Sequence, residues 1–185
     1  MLDDMTTNTD TAALNRTIFH PEPAMIRRVI ERRSVATLAT VSSSGRPHAA
    51  TVLYQYVDDV LFVSTDRDSR KARNIAAQGF AAVTIAVRRL PIGPPASIQF
   101  QSAAAIVDND DPDIIDLAAA GRLDKITTHG ELQREGGCFL RLPLPTRIVT
   151  YALGMSLWQV LRNPLDAAGE VDVHADERSA TRRFG

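Results

Sequence analysis

The spacing of apolar and polar residues changes several times along this chain, and each change marks a new element. After Pro21 and Pro23, the run AMIRRVIERR places Met25, Ile26, Val29 and Ile30 at helical spacing. Prolines suit a helix entrance, because the N–H they lack would have no partner there. Ser34 to Val41 is β-branched and ends at Ser42-Ser43-Ser44-Gly45-Arg46-Pro47, a hairpin turn by composition. His48 to Val57 reads as a second strand, Asp58-Asp59 as a tight turn and Val60 to Thr65 as a third strand. Two hairpins in succession predict an antiparallel meander, and the lack of βαβ alternation argues against a parallel dinucleotide-binding sheet.

Beyond Thr65 the period becomes helical. Asp66-Arg67-Asp68-Ser69 is a cap-like cluster, RKARNIAAQ (residues 70–78) is a short helix and Gly79 is its stop signal. Phe80 to Val87 is a fourth strand, and the loop RRLPIGPP leads to a fifth from Ala96 to Val107. Asp111 or Asp113 can cap a helix running through Ala120, and GRLDKITTHGELQREGG is a long connection with some helix. Cys138 to Ala152 is a sixth strand, bent or interrupted by Pro143 and Pro145. The predicted fold is mainly β, a six-stranded antiparallel barrel, closed or partly open, with few helices. Residues 1–19 show no apolar period and read as a disordered N-terminal tail. Residues 20–162 form the barrel domain, and 163–185 a polar C-terminal tail, either disordered or lying along a partner subunit.

Composition narrows the function classes. Twenty-one Lys and Arg against 22 Asp and Glu argue against a general nucleic-acid binder, which needs a strongly basic face to neutralise phosphates. No apolar run approaches the roughly 20 residues of a spanning helix. The acidic, polar start lacks the basic and apolar regions of a secretory signal, so a cytoplasmic location is expected. The single cysteine, Cys138, permits no internal disulfide and reads as a buried, inert thiol. His20, His48, His129 and His174 have no metal-ligand spacing. His129, in a loop, is either a proton donor or a surface histidine. Tyr54, Tyr56 and Trp158 either stack on a ligand or pack under a helix.

The stretch that carries chemistry is VSTDRDSRKARNI, residues 63–75. A strand ends in the hydroxyls of Ser64 and Thr65 and turns directly into a helix that opens with Ser69, Arg70 and Lys71. Helix N-termini offer unpaired N–H groups and partial positive charge. A serine hydroxyl, a guanidinium and an ammonium added there suit a phosphate dianion. The other reading is an ordinary basic helix start paired with Asp66 and Asp68.

The run ATLATVSSSGRPHAATVLYQYVDDVLFVSTDRDSRKARNI, with Ser-Gly-Arg-Pro in the hairpin and Thr65…Ser69-Arg70-Lys71 after the third strand, resembles the pyridoxamine-phosphate-oxidase-like, FMN-binding split β-barrel family of flavin and deazaflavin oxidoreductases. The resemblance spans about residues 24–152. It implies that Ala50, Thr51, Val52 and Leu53 line an isoalloxazine ring. It also implies that Ser69, Arg70 and Lys71, with Thr65 beside them, hold the cofactor phosphate. Ser97 and Gln99 correspond to a polar position that faces the ring from a second subunit, so a homodimer acting on a small-molecule substrate is implied. The implied cofactor is FMN, with the 8-hydroxy-5-deazaflavin coenzyme or a non-enzymatic flavin- or haem-binding role as alternatives. Arg88 and Arg89 either meet a longer deazaflavin tail or form a solvated turn. The C-terminal run RIVTYALGMSLWQVLRNP lacks the arginine and histidine pattern with which true pyridoxamine-phosphate oxidases grip their substrate, so vitamin B6 oxidation is not implied.

Overall fold

The computed structural model describes residues 21–87, 96–162 and 164–174. The expectations for residues 1–19 and for Arg88 and Arg89 lie outside these ranges. Proline at the first helical turn and buried Ile26 and Ile30 define helix α1 (Pro23–Arg32). Two antiparallel sheets follow. One has six strands, in the order β10 (Ala168–Asp172), β9 (Arg147–Tyr151), β6 (Ala96–Ala103), β5 (Phe80–Val87), β1 (Val35–Val41), β2 (Pro47–Leu53). The other has four: β3 (Gln55–Val57), β4 (Val60–Asp66), β8 (Gly137–Pro143) and β7 (Ala105–Asp108). Helix α2 (Arg70–Gln78) packs on β1, β2 and β7. The short helices α3 (Pro112–Ala119) and α4 (Asp124–Thr127) cover Phe62 and Phe139 of the smaller sheet, and α5 (Leu157–Arg162) follows β9.

The mainly β, split-barrel architecture is the one expected, but the strand inventory differs from six. Three of the expected strands are each divided in two by a corner at which the chain passes from one sheet to the other. His48–Val57 turns at Tyr54, Ala96–Val107 at Ala104, and Cys138–Ala152 at residues 144–146. A corner takes a backbone N–H out of its ladder, and an unpaired buried N–H is costly. Each corner has a nearby carbonyl to receive it: Tyr54 N donates to Ser34 O at 2.8 Å, Ala104 N to Gly79 O at 2.8 Å and Leu144 N to Asp59 O at 2.7 Å. All three corner residues are buried.

The remaining strand, β10, lies in the stretch read as a polar tail. Gly169, Val171 and Val173 are buried while Ala168 and Glu170 face outward, and the strand pairs with β9 from Ala168↔Tyr151 to Asp172↔Arg147. Its end is tied to the start of the domain. His174 Nδ1 lies 3.2 Å from Arg27 Nη2, and Arg27 grips Asp59 with Nε to Oδ1 at 2.9 Å and Nη2 to Oδ2 at 2.7 Å. Tyr56 also donates its hydroxyl to Asp59 Oδ1. Asp58 and Asp59 have φ of 47° and 58°, the left-handed geometry of a two-residue hairpin turn that Asp tolerates well. Tyr54 is fully buried under α1, where its hydroxyl donates to Ile30 O at 2.7 Å.

The Arg27 guanidinium, helped by the Tyr56 hydroxyl, outweighs partial burial and holds the Asp59 carboxyl below the usual carboxylate range. A depressed folded-state pKa adds stability that is complete above about pH 4 and is lost as pH falls through the lower folded value. Asp59→Asn, which keeps the turn geometry, is therefore expected to lower stability at neutral pH and to flatten the loss as pH falls below about 4. Urea titrations at pH 7 and pH 3 measure both, and an unchanged acid limb would assign the acid sensitivity to other groups.

Candidate functional site

The site is built where β4 runs into α2. Asp66 closes the turn, its side chain accepting from Asp68 N at 2.8 Å and its carbonyl from Ser69 N at 3.0 Å. Ser69 then caps α2 with an extended backbone, and its Oγ accepts the Ala72 N–H at 3.3 Å and the Thr65 hydroxyl at 3.2 Å. With both bonds accepted, the Ser69 proton is left to donate. The Arg70 and Lys71 N–H groups belong to the open first turn of the helix. Gly79, with φ of 70°, ends the helix in the left-handed conformation a β-carbon would disfavour. The first turn holds no acid, only Arg70 and Lys71. Cations at the positive end of a helix are unfavourable, so this is a place where the fold gives up stability and an anion would restore it.

The two cations diverge. Lys71 is half-buried on the side of Thr65 and Cys138, close enough to oppose the rise of the Cys138 thiol. Burial dominates there and pushes that thiol up, as suits an inert core cysteine. Arg70 is exposed and lines a cleft on the opposite side, facing the β1–β2 turn. Arg46, His48 and Arg73 line the same cleft. Arg46 belongs to the Ser-Gly-Arg-Pro turn motif, whereas Arg73 belongs to no motif. The signal for Arg73 was its spacing of three from Arg70, which puts both on one helix face.

The residues expected along the ring occupy β2, an edge strand of the six-stranded sheet. Ala50 and Val52 face inward, whereas Thr51 and Leu53 face outward. The bonds Tyr54 N to Ser34 O and Ser42 N to Arg46 O fix the even-numbered positions as the hydrogen-bonded pairs with β1. Ala49, Thr51 and Leu53 therefore aim their N–H and C=O groups at the open edge, where a planar heteroaromatic ring could be read by backbone alone. Ser97 and Gln99 lie on the outer face of β6, with Gln99 Nε2 donating to Ser97 Oγ at 2.9 Å. β5 and β1 separate them from β2, a gap of three strand spacings or about 14 Å. A single chain does not bring these two groups together.

They do share one surface. Along β2, β1, β5 and β6 no outward-facing residue is charged, and Leu53, Phe80 and Val35 are 57%, 64% and 47% exposed. His129 is exposed on its loop beside Thr128 Oγ1 at 3.0 Å and Glu131. Trp158 is 83% exposed on α5. Among the described residues, no group of three His, Cys, Asp or Glu side chains is arranged to hold a metal ion, and no helix is long and apolar enough to cross a membrane.

Residues 23–130 match the model of the pyridoxamine 5'-phosphate oxidase family. The chain belongs to that family. No curated protein matches it, but solved structures of this oxidase-like fold do. A haem-binding protein from Mycobacterium smegmatis aligns with a TM-score of 0.65 at 18% identity over 85% of this chain. The chain spans 61% of that protein's length. The haem storage protein HutZ from Vibrio cholerae aligns at 0.56 and 19% identity, over 68% of this chain and 91% of its own. An FAD-binding protein from Mesorhizobium loti aligns at 0.56 and 15% identity, over 69% and 90%. At these identities the likeness is one of fold. Proteins of this fold thus include one that binds FAD and others named for haem.

If Arg70 opposes the helix dipole, Arg70→Glu will stabilise the free protein by about 0.3–1 kcal/mol while weakening phosphate binding. Urea midpoints with and without phosphate check this. A fall in the midpoint of the free protein would mean that Arg70 supports the fold.

Proposed function

We propose that this chain is a flavin-type oxidoreductase that binds FMN at a homodimer interface and reduces or oxidises a small organic substrate. The observation that carries the reading is the first turn of α2, with a capping hydroxyl whose proton is uncommitted, two cations and no acid. Ser69, Arg70 and Lys71, supported by Thr65, hold the phosphate. The open edge of β2 from Ala49 to Leu53 takes the ring edge, with Thr51 and Leu53 on the ring's side of the strand and the backbone of Ala50 and Val52 between them. When bound, the isoalloxazine ring supplies the hydride chemistry. The chain's own part is to bind, orient and exclude water. The small residues Ala49, Thr51 and Ala39, which adjoin on the paired strands, leave room for a flat ring against the sheet.

The dimer rests on the uncharged outer face of β2, β1, β5 and β6. Large exposed apolar patches mark interaction surfaces, and a second copy of the same face is self-complementary because it carries no like charges to repel. Ser97 and Gln99 then reach the ring bound on the partner's β2. The 8-hydroxy-5-deazaflavin coenzyme is the alternative occupant. Pyridoxamine phosphate is not the proposed substrate, because β9 carries one basic residue, Arg147, and no histidine.

Titration of the purified protein with FMN, followed by absorbance and fluorescence, tests the reading together with light scattering for the assembly. The expected result is one FMN per chain in a dimer. Arg70→Ala with Lys71→Ala should weaken binding by roughly a hundredfold, as befits two charge-assisted bonds. Ala39→Arg should break the dimer and weaken FMN binding with it. A protein with no affinity for FMN or the deazaflavin, or one that takes up haem instead, overturns the proposal.

A further inference from the structure

The cleft between the β1–β2 turn and α2 is about 470 Å³ and is lined by Arg46, Arg70, Arg73 and His48, with no carboxylate among its lining residues. None of the three guanidiniums has an ion-pair partner among the described residues. Elsewhere in the same molecule arginines do find acids: Arg27 has Asp59, Arg67 has Asp108, Arg122 has Asp58 and Arg134 has Asp66. Three like charges sharing one concave wall repel each other, and such a wall concentrates anions.

The wall is also held in shape. Asn74 Nδ2 donates to Thr40 Oγ1 at 2.9 Å inside the protein, and Gln78 Nε2 reaches Ser42 O at 3.5 Å, so α2 and the turn are fixed relative to each other. Within the turn, Ser42 Oγ accepts the Arg46 N–H at 3.1 Å and lies 3.0 Å from Ser44 Oγ. Hydroxyl donors and guanidinium forks thus face one space, the donor set that phosphate and carboxylate groups require.

The cleft also adjoins the coenzyme site. His48 lies two residues from Ala50 on the inward face of β2, about 7 Å along the strand, and Arg70 directly follows Ser69. Ser69, Lys71 and Thr65 do not line it, whereas Arg70 does, so it is a neighbouring seat that shares Arg70 with the one that takes the ring's own phosphate.

We propose that this cleft is a second anion seat, for a phosphate- or carboxylate-bearing group additional to the phosphate at Ser69. The group is either the tail of a coenzyme longer than FMN or a separate polyanion. The first source rests on the coenzyme reading above, and the second does not. The test compares the wild-type chain with Arg46→Ala/Arg73→Ala, both exposed positions outside the Ser69 seat. Fluorescence titrations use FMN, FAD, and the deazaflavin coenzyme with and without its anionic tail, and calorimetry uses pyrophosphate alone. The double variant is expected to bind FMN within about twofold of wild type and to lose roughly tenfold or more in affinity for the tailed ligands or for pyrophosphate. Loss confined to the tailed coenzymes assigns the seat to a tail, and loss confined to pyrophosphate assigns it to a separate anion. If no ring compound binds but pyrophosphate does, and only with both arginines present, the coenzyme reading falls and the seat stands. Equal affinities of both proteins for every tailed ligand and for pyrophosphate overturn the proposal. An Arg46→Gln/Arg73→Gln variant, with matching thermal melts, repeats the comparison with polar stems retained.

Discussion

The buried hydrogen bond from Asn74 Nδ2 to Thr40 Oγ1, 2.9 Å long, locks α2 onto β1, and the functional geometry depends on that lock. Thr40 and Asn74 are 2% and 6% exposed, in a core otherwise almost wholly apolar. Burying two polar groups is tolerable only when they satisfy each other. An amide facing a hydroxyl fixes register in a way that Ala72 and Ile75, the other buried residues of α2, cannot do alone. One turn of slippage would move Ser69 away from Thr65 and Arg70 away from Arg46 together.

Charge placement follows a consistent logic around this helix. The Asp66 and Arg134 pair, at 3.5 Å, and the Arg67 and Asp108 pair neutralise the loop that enters it. Arg70 and Arg73, by contrast, are left without acids on the helix itself. A chain with a net charge of only −1 has carboxylates enough to serve them. Their isolation is therefore a local feature of where α2 lies, and the dipole makes it unfavourable at Arg70 in particular. Anion binding would offset that cost.

How much of this was legible in the sequence depended on range. The α2 segment was readable to the residue, because Ser69, the helical period and Gly79 are all local signals. So was the turn at Asp58-Asp59. The corners were not read, although they left traces. In His48–Val57 the buried positions run 52, 54 and then 57, a break of phase at the place where the strand changes sheets. In residues 169–173 the alternation of Gly169, Val171 and Val173 against Glu170 and Asp172 is a strand signal, outweighed by the polarity of the stretch as a whole. The arginine cleft could not be read at all. Arg46 and Arg73 lie 27 positions apart, and only the packing of α2 against the β1–β2 turn places them on one wall.

The same distinction governs the proposed two-chain site. β2 and β6 occupy symmetric places on the outer face, with β1 and β5 between them. A two-fold axis that turns this face onto its own copy must lie in the plane of contact. If it runs parallel to the strands and passes between β1 and β5, it carries each β6 over the other chain's β2. Ser97 and Gln99 then face Thr51 and Leu53 across the interface, closing the distance that one chain leaves open. An axis across the strands would set β2 on β2 and leave Ser97 and Gln99 facing their own copies. The proposed site therefore specifies one of these two arrangements, and it does so from strand order alone.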